Sequence, residues 1–321
     1  MYAEWEKQRA VVLIYPHKFC DFKDDLKAVR KVYDEIISNI ETEVWLIKHT
    51  QDSIRTSFKE NVRIIEIDTN DLWARDSLAI SIKPSKASPK AHLKYTYKNF
   101  GFNGWGLKFA ADLDNQINAK LACLGFLKDM KTESLILEGG SIDCNSKGDL
   151  LTNTQCLLSP NRNPALSKDK IESKLLKELN VKRVHWLSHG FLLGDDTDSH
   201  IDTLARFIDD ETIAYIKCDD PKNVHFKGLE LMEQELEALP FKLVALPFCD
   251  YVHEGEALPA SYVNFLFTEG KLLVPLYGKP SDAKALEVLR EALPQYEVIG
   301  INCEALIRQH GSLHCISMNV H

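Results

Sequence analysis

Four short stretches of the chain gather the residue types that polar chemistry needs. The densest is Gly194-Asp195-Asp196-Thr197-Asp198-Ser199-His200-Ile201-Asp202, which leads into the apolar run Leu204–Ile208. If this run enters a strand, residues two apart share a face, so His200 and Asp202 project together. A histidine beside carboxylates holds its proton more readily and suits general acid and base work near neutral pH. The same run also reads as a solvated or calcium-like acidic turn, or as metal ligands at alternate positions.

Glu138 stands at the end of the apolar run Leu135–Leu137 and is followed by Gly139 and Gly140. Glycines there allow close approach of a ligand, which puts the carboxylate in a good position to face a pocket. Asn70-Asp71-Leu72-Trp73-Ala74-Arg75-Asp76 sets two carboxylates, a guanidinium and an indole side by side. A planar cation could stack on Trp73 and pair with Asp76. The plainer reading is an internal Arg75–Asp ion pair beside a core tryptophan. Near the C-terminus, Gly311 and Ser312 precede His314-Cys315, and a short apolar segment follows. That context suits a thiol at a loop-to-strand junction, where neighbouring cations can generate a nucleophilic thiolate. Taken alone, a single thiol is more often a packing residue.

These residues need a scaffold, and 321 residues are enough to bury a large core without staples. Apolar residues make up 45% of the chain and charged residues 27%, as in ordinary globular proteins. A net charge of −8 argues against nucleic acid as the main partner and is compatible with a small cation. No apolar run approaches the roughly twenty residues of a spanning helix, and Ala10–Tyr15 lacks a signal-peptide pattern, so a cytoplasmic protein is expected. Eight cysteines are scattered singly, with no Cys-x-x-Cys pair to suggest structural zinc.

Strand-length apolar runs recur at Val44–Ile47, Val62–Ile67, Leu78–Ile82, Leu93–Tyr97, Ile201–Ile208, Thr212–Ile216, Lys242–Leu246, Tyr262–Phe267 and Lys271–Pro275. Between them, apolar residues three and four apart predict helices over Leu26–Ile37, Ile117–Leu127, Ile171–Leu179, Gly228–Leu239 and Ala283–Leu293. The later helices recur roughly every 55 to 60 residues, which suggests a repeated unit of two or three strands and one helix, five units filling the chain. Lys83–Ala91, rich in Pro, Ser and Lys, reads as an exposed loop within one domain.

Taken together, AEWE (Ala3–Glu6), NDLWARD (Asn70–Asp76), FNGWGLKF (Phe102–Phe109), LEGGSID (Leu137–Asp143), SPNRNP (Ser159–Pro164), GDDTDSHID with ARF (Gly194–Phe207), LPASYVNF (Leu258–Phe265) and LHCIS (Leu313–Ser317) resemble the agmatine deiminase family. That family belongs to the guanidine-modifying group, with bacterial peptidyl-arginine deiminases. The resemblance implies an α/β fold, the five-bladed ββαβ pseudo-fivefold propeller called a pentein, with residues 1–321 forming one catalytic domain. It implies that Cys315 attacks a guanidinium carbon. His200, oriented by Glu138, would protonate the departing ammonia, while Asp76 and Asp202 grip the guanidinium nitrogens. Asp196, with Asp198 nearby, would meet the far ammonium of agmatine, and Trp73 and Trp105 would line its alkyl chain. No metal or cofactor is implied. A small cationic guanidine is the expected partner, with neither nucleic acid nor membrane, and a homo-oligomer is compatible with this reading.

Two stretches depart from the family pattern. Ser77-Leu78-Ala79 follows Asp76 where a Gly-Pro pair is usual, and His310-Gly311-Ser312 stands where several glycines are usual. The alternatives are a deiminase of free or peptidyl arginine, an amidinotransferase, a metal-dependent hydrolase built on Asp196, Asp198, His200 and Asp202, or a binding protein that keeps the fold without the chemistry.

Overall fold

A computed structural model describes residues 1–53, 58–83 and 97–321. The five predicted helices form as Leu26–Asn39, Ile117–Cys123, Lys168–Glu178, Phe226–Glu237 and Ser281–Ala292. Each exists because an apolar stripe at helical spacing finds a sheet to cover. In Leu26–Asn39, the buried residues Val29, Val32, Tyr33, Ile36 and Ile37 are that stripe. The strand Ala10–Ile14 is buried along its whole length, which explains its unbroken apolar sequence. The expected loop Lys83–Ala91 falls outside the described residues beyond Lys83. So does the expected strand Leu93–Tyr97, apart from Tyr97, which opens the strand Tyr97–Gly101.

Five sheets repeat one connection pattern. In each, a first strand pairs antiparallel with a second, a helix follows, and a third strand returns parallel to the second. Ile80–Ser81, Tyr97–Gly101 and Met130–Ile136 form one such sheet. The next two are Ile142–Cys144, Asp149–Asn153 and Arg183–Leu187, then Ala205–Phe207, Thr212–Lys217 and Lys242–Pro247. Leu266–Thr268, Lys271–Leu276 and Glu297–Asn302 form a fourth. In the fifth, the first strand is Ser317–Val320 from the C-terminal end, paired antiparallel with Ala10–Ile14, which runs parallel to Glu43–Lys48. A further parallel strand, Val62–Glu66, extends that sheet, and its exposed Arg63 and Glu66 suit an unpaired edge. A parallel return needs a crossover of a dozen or more residues, and the helix supplies it.

This repeat positions the polar residues singled out above. The segment entering the first strand carries one or two of them in four of the five sheets. Asp76 lies just before Ile80–Ser81, Glu138 before Ile142–Cys144, and His200 and Asp202 before Ala205–Phe207. Cys315 stands just before Ser317–Val320. The equivalent segment before Leu266–Thr268 carries Asn264, which the sequence did not single out.

Candidate active site

One cavity of about 430 Å3 is lined by Trp73, Asp76, Trp105, Asp196, His200, Asp202 and Cys315, so seven of the nine residues predicted from sequence share its wall. Among the described residues, seven aspartates line it and neither lysine nor arginine does.

Gly140 shows how closely three of the side chains approach. A Cβ there would lie 2.6 Å from His200 Nδ1, 2.8 Å from Asp76 Oδ1 and 3.0 Å from Asp202 Oδ2. The Gly140 N–H donates to Asp76 Oδ1 at 2.9 Å, while Trp105 Nε1 donates to Asp76 Oδ2 at 3.0 Å. Trp105 reaches Asp76 from a run of left-handed backbone at Gly104, Trp105, Gly106 and Leu107. A tryptophan and a leucine held there cost conformational energy, so the packing of Trp105 against Phe102 and Phe109 must hold the turn.

His200 and Asp202 sit on and before a short 3-10 turn, Ile201–Thr203, and not on a strand. Alternation along a strand is therefore not what brings them together. The turn does so instead, delivering the chain to Ala205–Phe207. His200 Nδ1 lies 3.6 Å from Asp76 Oδ1, and His200 Nε2 is buried without a hydrogen-bond partner. Asp202 Oδ2 accepts from His314 Nδ1 at 2.7 Å, and Asp202 Oδ1 is likewise unpartnered. Burial, then the neighbouring Asp76, pushes the Asp202 carboxyl well above its ordinary range. The Cys315 thiol is pushed well up by burial and by Asp202 and Asp76. Desolvated acids and thiols keep their protons until a cation arrives to offset the cost.

Glu138 lies behind the wall. Both its oxygens accept from Arg162 Nε, at 2.8 and 3.0 Å. Its carboxylate comes within 4.8 Å of the His200 ring and of Cys156 but is not hydrogen-bonded to the ring. Arg162 was not singled out from the sequence, although SPNRNP contains it. Its Nη1 donates to Asp198 Oδ2 at 2.5 Å, and Lys108 Nζ reaches Asp198 Oδ1 at 2.7 Å. Asp198 is thus committed to two cations and does not line the cavity, whereas Asp196 does.

Two alternative readings of these residues find no support in the geometry. Arg75 pairs with Glu4 at 3.4 Å and with Asn319 at 2.8 Å because its side chain turns toward the buried Glu4, which Arg206 also holds, and Asp76 of its own motif acts on it only at longer range. Among the described residues, Asp196, Asp198, His200 and Asp202 do not bring their ligand atoms together at metal-like spacing. Among the described residues, the one group with metal-like spacing is Glu138, Cys156 and His200. There Arg162 already holds Glu138, and burial with the Glu138 charge keeps Cys156 a thiol.

Asn264 completes the site. Its Nδ2 donates to Cys315 Sγ at 3.3 Å and to the Asp202 carbonyl at 3.3 Å, and its Oδ1 accepts from the His314 N–H at 2.9 Å. Its place within LPASYVNF and ahead of a first strand, matching the other four units, could have marked it in the sequence.

The fold and the cavity together define an α/β protein with a thiol, an imidazole and two carboxylates converging on an acidic pocket, an arrangement suited to a cation. The family model for Porphyromonas-type peptidyl-arginine deiminase matches residues 1–320, and the chain belongs to that family. A Lactococcus lactis protein provisionally named agmatine deiminase is 30% identical over 99% of this chain and 94% of its own. A cysteine-to-serine variant of C. jejuni agmatine deiminase, solved with substrate bound, is 38% identical with a TM-score of 0.91, covering 99% of this chain and 95% of that one. The agmatine deiminase of Enterococcus faecalis is 28% identical with a TM-score of 0.87, covering 100% and 95%. At 10% and 12% identity and a TM-score of 0.56, a dimethylarginine dimethylaminohydrolase and an amidinotransferase from Microseira wollei share the fold alone.

Proposed function

We propose that this protein hydrolyses agmatine to N-carbamoylputrescine and ammonia through a covalent intermediate on Cys315. The observation that carries this reading is a thiol opening onto a cavity with seven aspartates and neither lysine nor arginine among the described residues of its wall. A guanidinium is a resonance-stabilised cation and a poor electrophile, so the site must fix it in place and compensate its charge. Asp76 and Asp202 are suited to grip its nitrogens as paired carboxylates. The arriving cation favours loss of the Cys315 proton, and the thiolate then bonds to the guanidinium carbon. His200 donates the proton that lets ammonia depart, leaving an S-alkyl thiouronium. It next takes a proton from water as the oxygen adds to the same carbon, and collapse breaks the C–S bond, giving the ureido product and the free thiol.

The tail of the substrate discriminates among guanidines. Free or C-terminal arginine brings a carboxylate, which would find neither lysine nor arginine among the described residues of this wall and would face Asp196. An ammonium tail instead pairs with Asp196, with Trp73 and Trp105 flanking the alkyl chain. The five units of equal strand order, joined through Ser317–Val320 and Ala10–Ile14, support reading residues 1–321 as one catalytic domain with five blades.

Ammonia release measured side by side on agmatine, arginine and a C-terminal arginine peptide tests the assignment. Agmatine should be preferred by at least tenfold, and Cys315→Ala should release none. Turnover retained in Cys315→Ala, or a preference for arginine, would overturn it.

A further inference from the structure

His310 lines the same cavity as Asp196, on the turn that leads to the nucleophile. It occupies the left-handed region at φ 64, an uncommon place for a residue with a side chain. Both loops that meet there are pinned. A Cβ on Gly194 would lie 2.3 Å from the Ala257 carbonyl oxygen, and one on Gly311 would lie 2.0 Å from the Trp73 ring. Between these two glycines, His310 Nδ1 lies 2.6 Å from the Gly194 carbonyl oxygen. A carbonyl can only accept, so Nδ1 carries a proton, and the neutral tautomer that this contact selects presents its lone pair at Nε2. Among the described residues, no hydrogen bond engages Nε2.

An ammonium has three donors and wants more than one acceptor. A second carboxylate beside Asp196 would be a poor choice. Burial and Asp195 already push the Asp196 carboxyl above its ordinary range, and a further negative charge would push it higher. A neutral ring nitrogen fixed in direction avoids that conflict. Resting on the agmatine reading above, we propose that His310 determines specificity for an amine tail, its Nε2 accepting a hydrogen bond from the substrate ammonium while Asp196 supplies the charge. The clasp to Gly194 then serves to select the tautomer and aim the ring.

The test compares kcat/KM on agmatine and on n-butylguanidine, which keeps the guanidinium and lacks the ammonium, for the full-length protein and for His310→Gly. Glycine adopts φ 64 without strain, so the variant keeps the backbone it replaces. The preference for agmatine over butylguanidine should fall about tenfold, mainly through a higher KM for agmatine, as expected on losing a hydrogen bond to a charged group. A fall of threefold or more confined to agmatine supports the proposal. Equal losses on both substrates would make His310 a loop clasp only, and that result or a change below threefold overturns it. Failure of the unmodified protein on agmatine would instead overturn the functional reading on which this one rests.

Discussion

Asn264 donates its side-chain amide to Cys315 Sγ at 3.3 Å, and its orientation is fixed because Oδ1 accepts from the His314 N–H at 2.9 Å. The Cys315 sulfur thus has a side-chain donor which, with the backbone at Ser312, favours its thiolate against the pull of Asp76 and Asp202 toward the thiol. Asn264→Ala should slow turnover about tenfold to a hundredfold, the cost of removing a donor aimed at a developing anion. Asn264→Asp should be worse, because it adds a third carboxylate beside the sulfur. Iodoacetamide alkylation of Cys315 against pH reads this directly, with the reactive form shifting to higher pH in both variants. Unshifted profiles would mean that the amide only braces the backbone.

Gly140 packs into the centre of the site without needing an unusual backbone. Its missing Cβ leaves room for His200, Asp76 and Asp202, each of which would otherwise meet a carbon at 3.0 Å or less. Gly140→Ala should therefore fold with a melting temperature near that of the parent while losing at least about a hundredfold in kcat, since small misplacements of catalytic groups are costly. A variant that is destabilised but still active when folded would contradict this.

The raised proton affinities of Asp202 and Cys315 have a consequence for binding. Burial and neighbouring carboxylates raise the proton affinity of both groups. A guanidinium placed among them lowers both affinities, so binding expels protons and strengthens as pH rises. KM for agmatine should fall as pH rises, and calorimetry in two buffers of different ionisation enthalpy should register proton release. Proton uptake, or a pH-independent KM, would show that the groups are already ionised before substrate arrives.

The helices were legible because each carries an apolar stripe of helical period, as Val29, Val32, Tyr33, Ile36 and Ile37 do in Leu26–Asn39. Short strands such as Ile142–Cys144 were not, because three residues carry too little alternation to separate from a loop. Cys315, His200, Asp76 and Asp202 stood out as reactive types in unusual company. Asn264 and Arg162 did not, because a lone amide in an apolar run or a guanidinium in a polar loop has no local signature. Their importance lies in long-range partners, Asn264 to Cys315 and Arg162 to Glu138. For the same reason the sequence could not tell Asp196 from Asp198, since only the contacts with Arg162 and Lys108 turn Asp198 away.

That distinction predicts two different kinetic signatures. Asp196→Asn should raise KM for agmatine about tenfold or more and leave kcat within about threefold, having removed only the partner of the tail. Asp198→Asn should weaken the hold on Arg162, and through it on Glu138, lowering kcat with little change in KM. Matching effects in the two variants would place both aspartates on the substrate.

The far wall of the cavity offers a prediction about stability. Desolvation, then Asp21 and Asp114, pushes the Asp71 carboxyl up from 3.8 to about 8, while Trp73 Nε1 donates to Asp71 Oδ2 at 2.9 Å. Between about pH 4 and pH 8 the folded protein therefore keeps a proton that the unfolded chain has lost. Stability must fall as pH rises through that window, by up to about 1.4 kcal/mol per pH unit for one such group. Asp114, pushed up to about 7 by burial, adds a slope of the same sign. Asp71→Asn keeps an acceptor for the Trp73 indole and removes the titration. Its melting temperature should gain on the parent steadily from pH 5 to pH 8, and parallel curves for the two proteins would show that Asp71 is ionised in the folded state throughout.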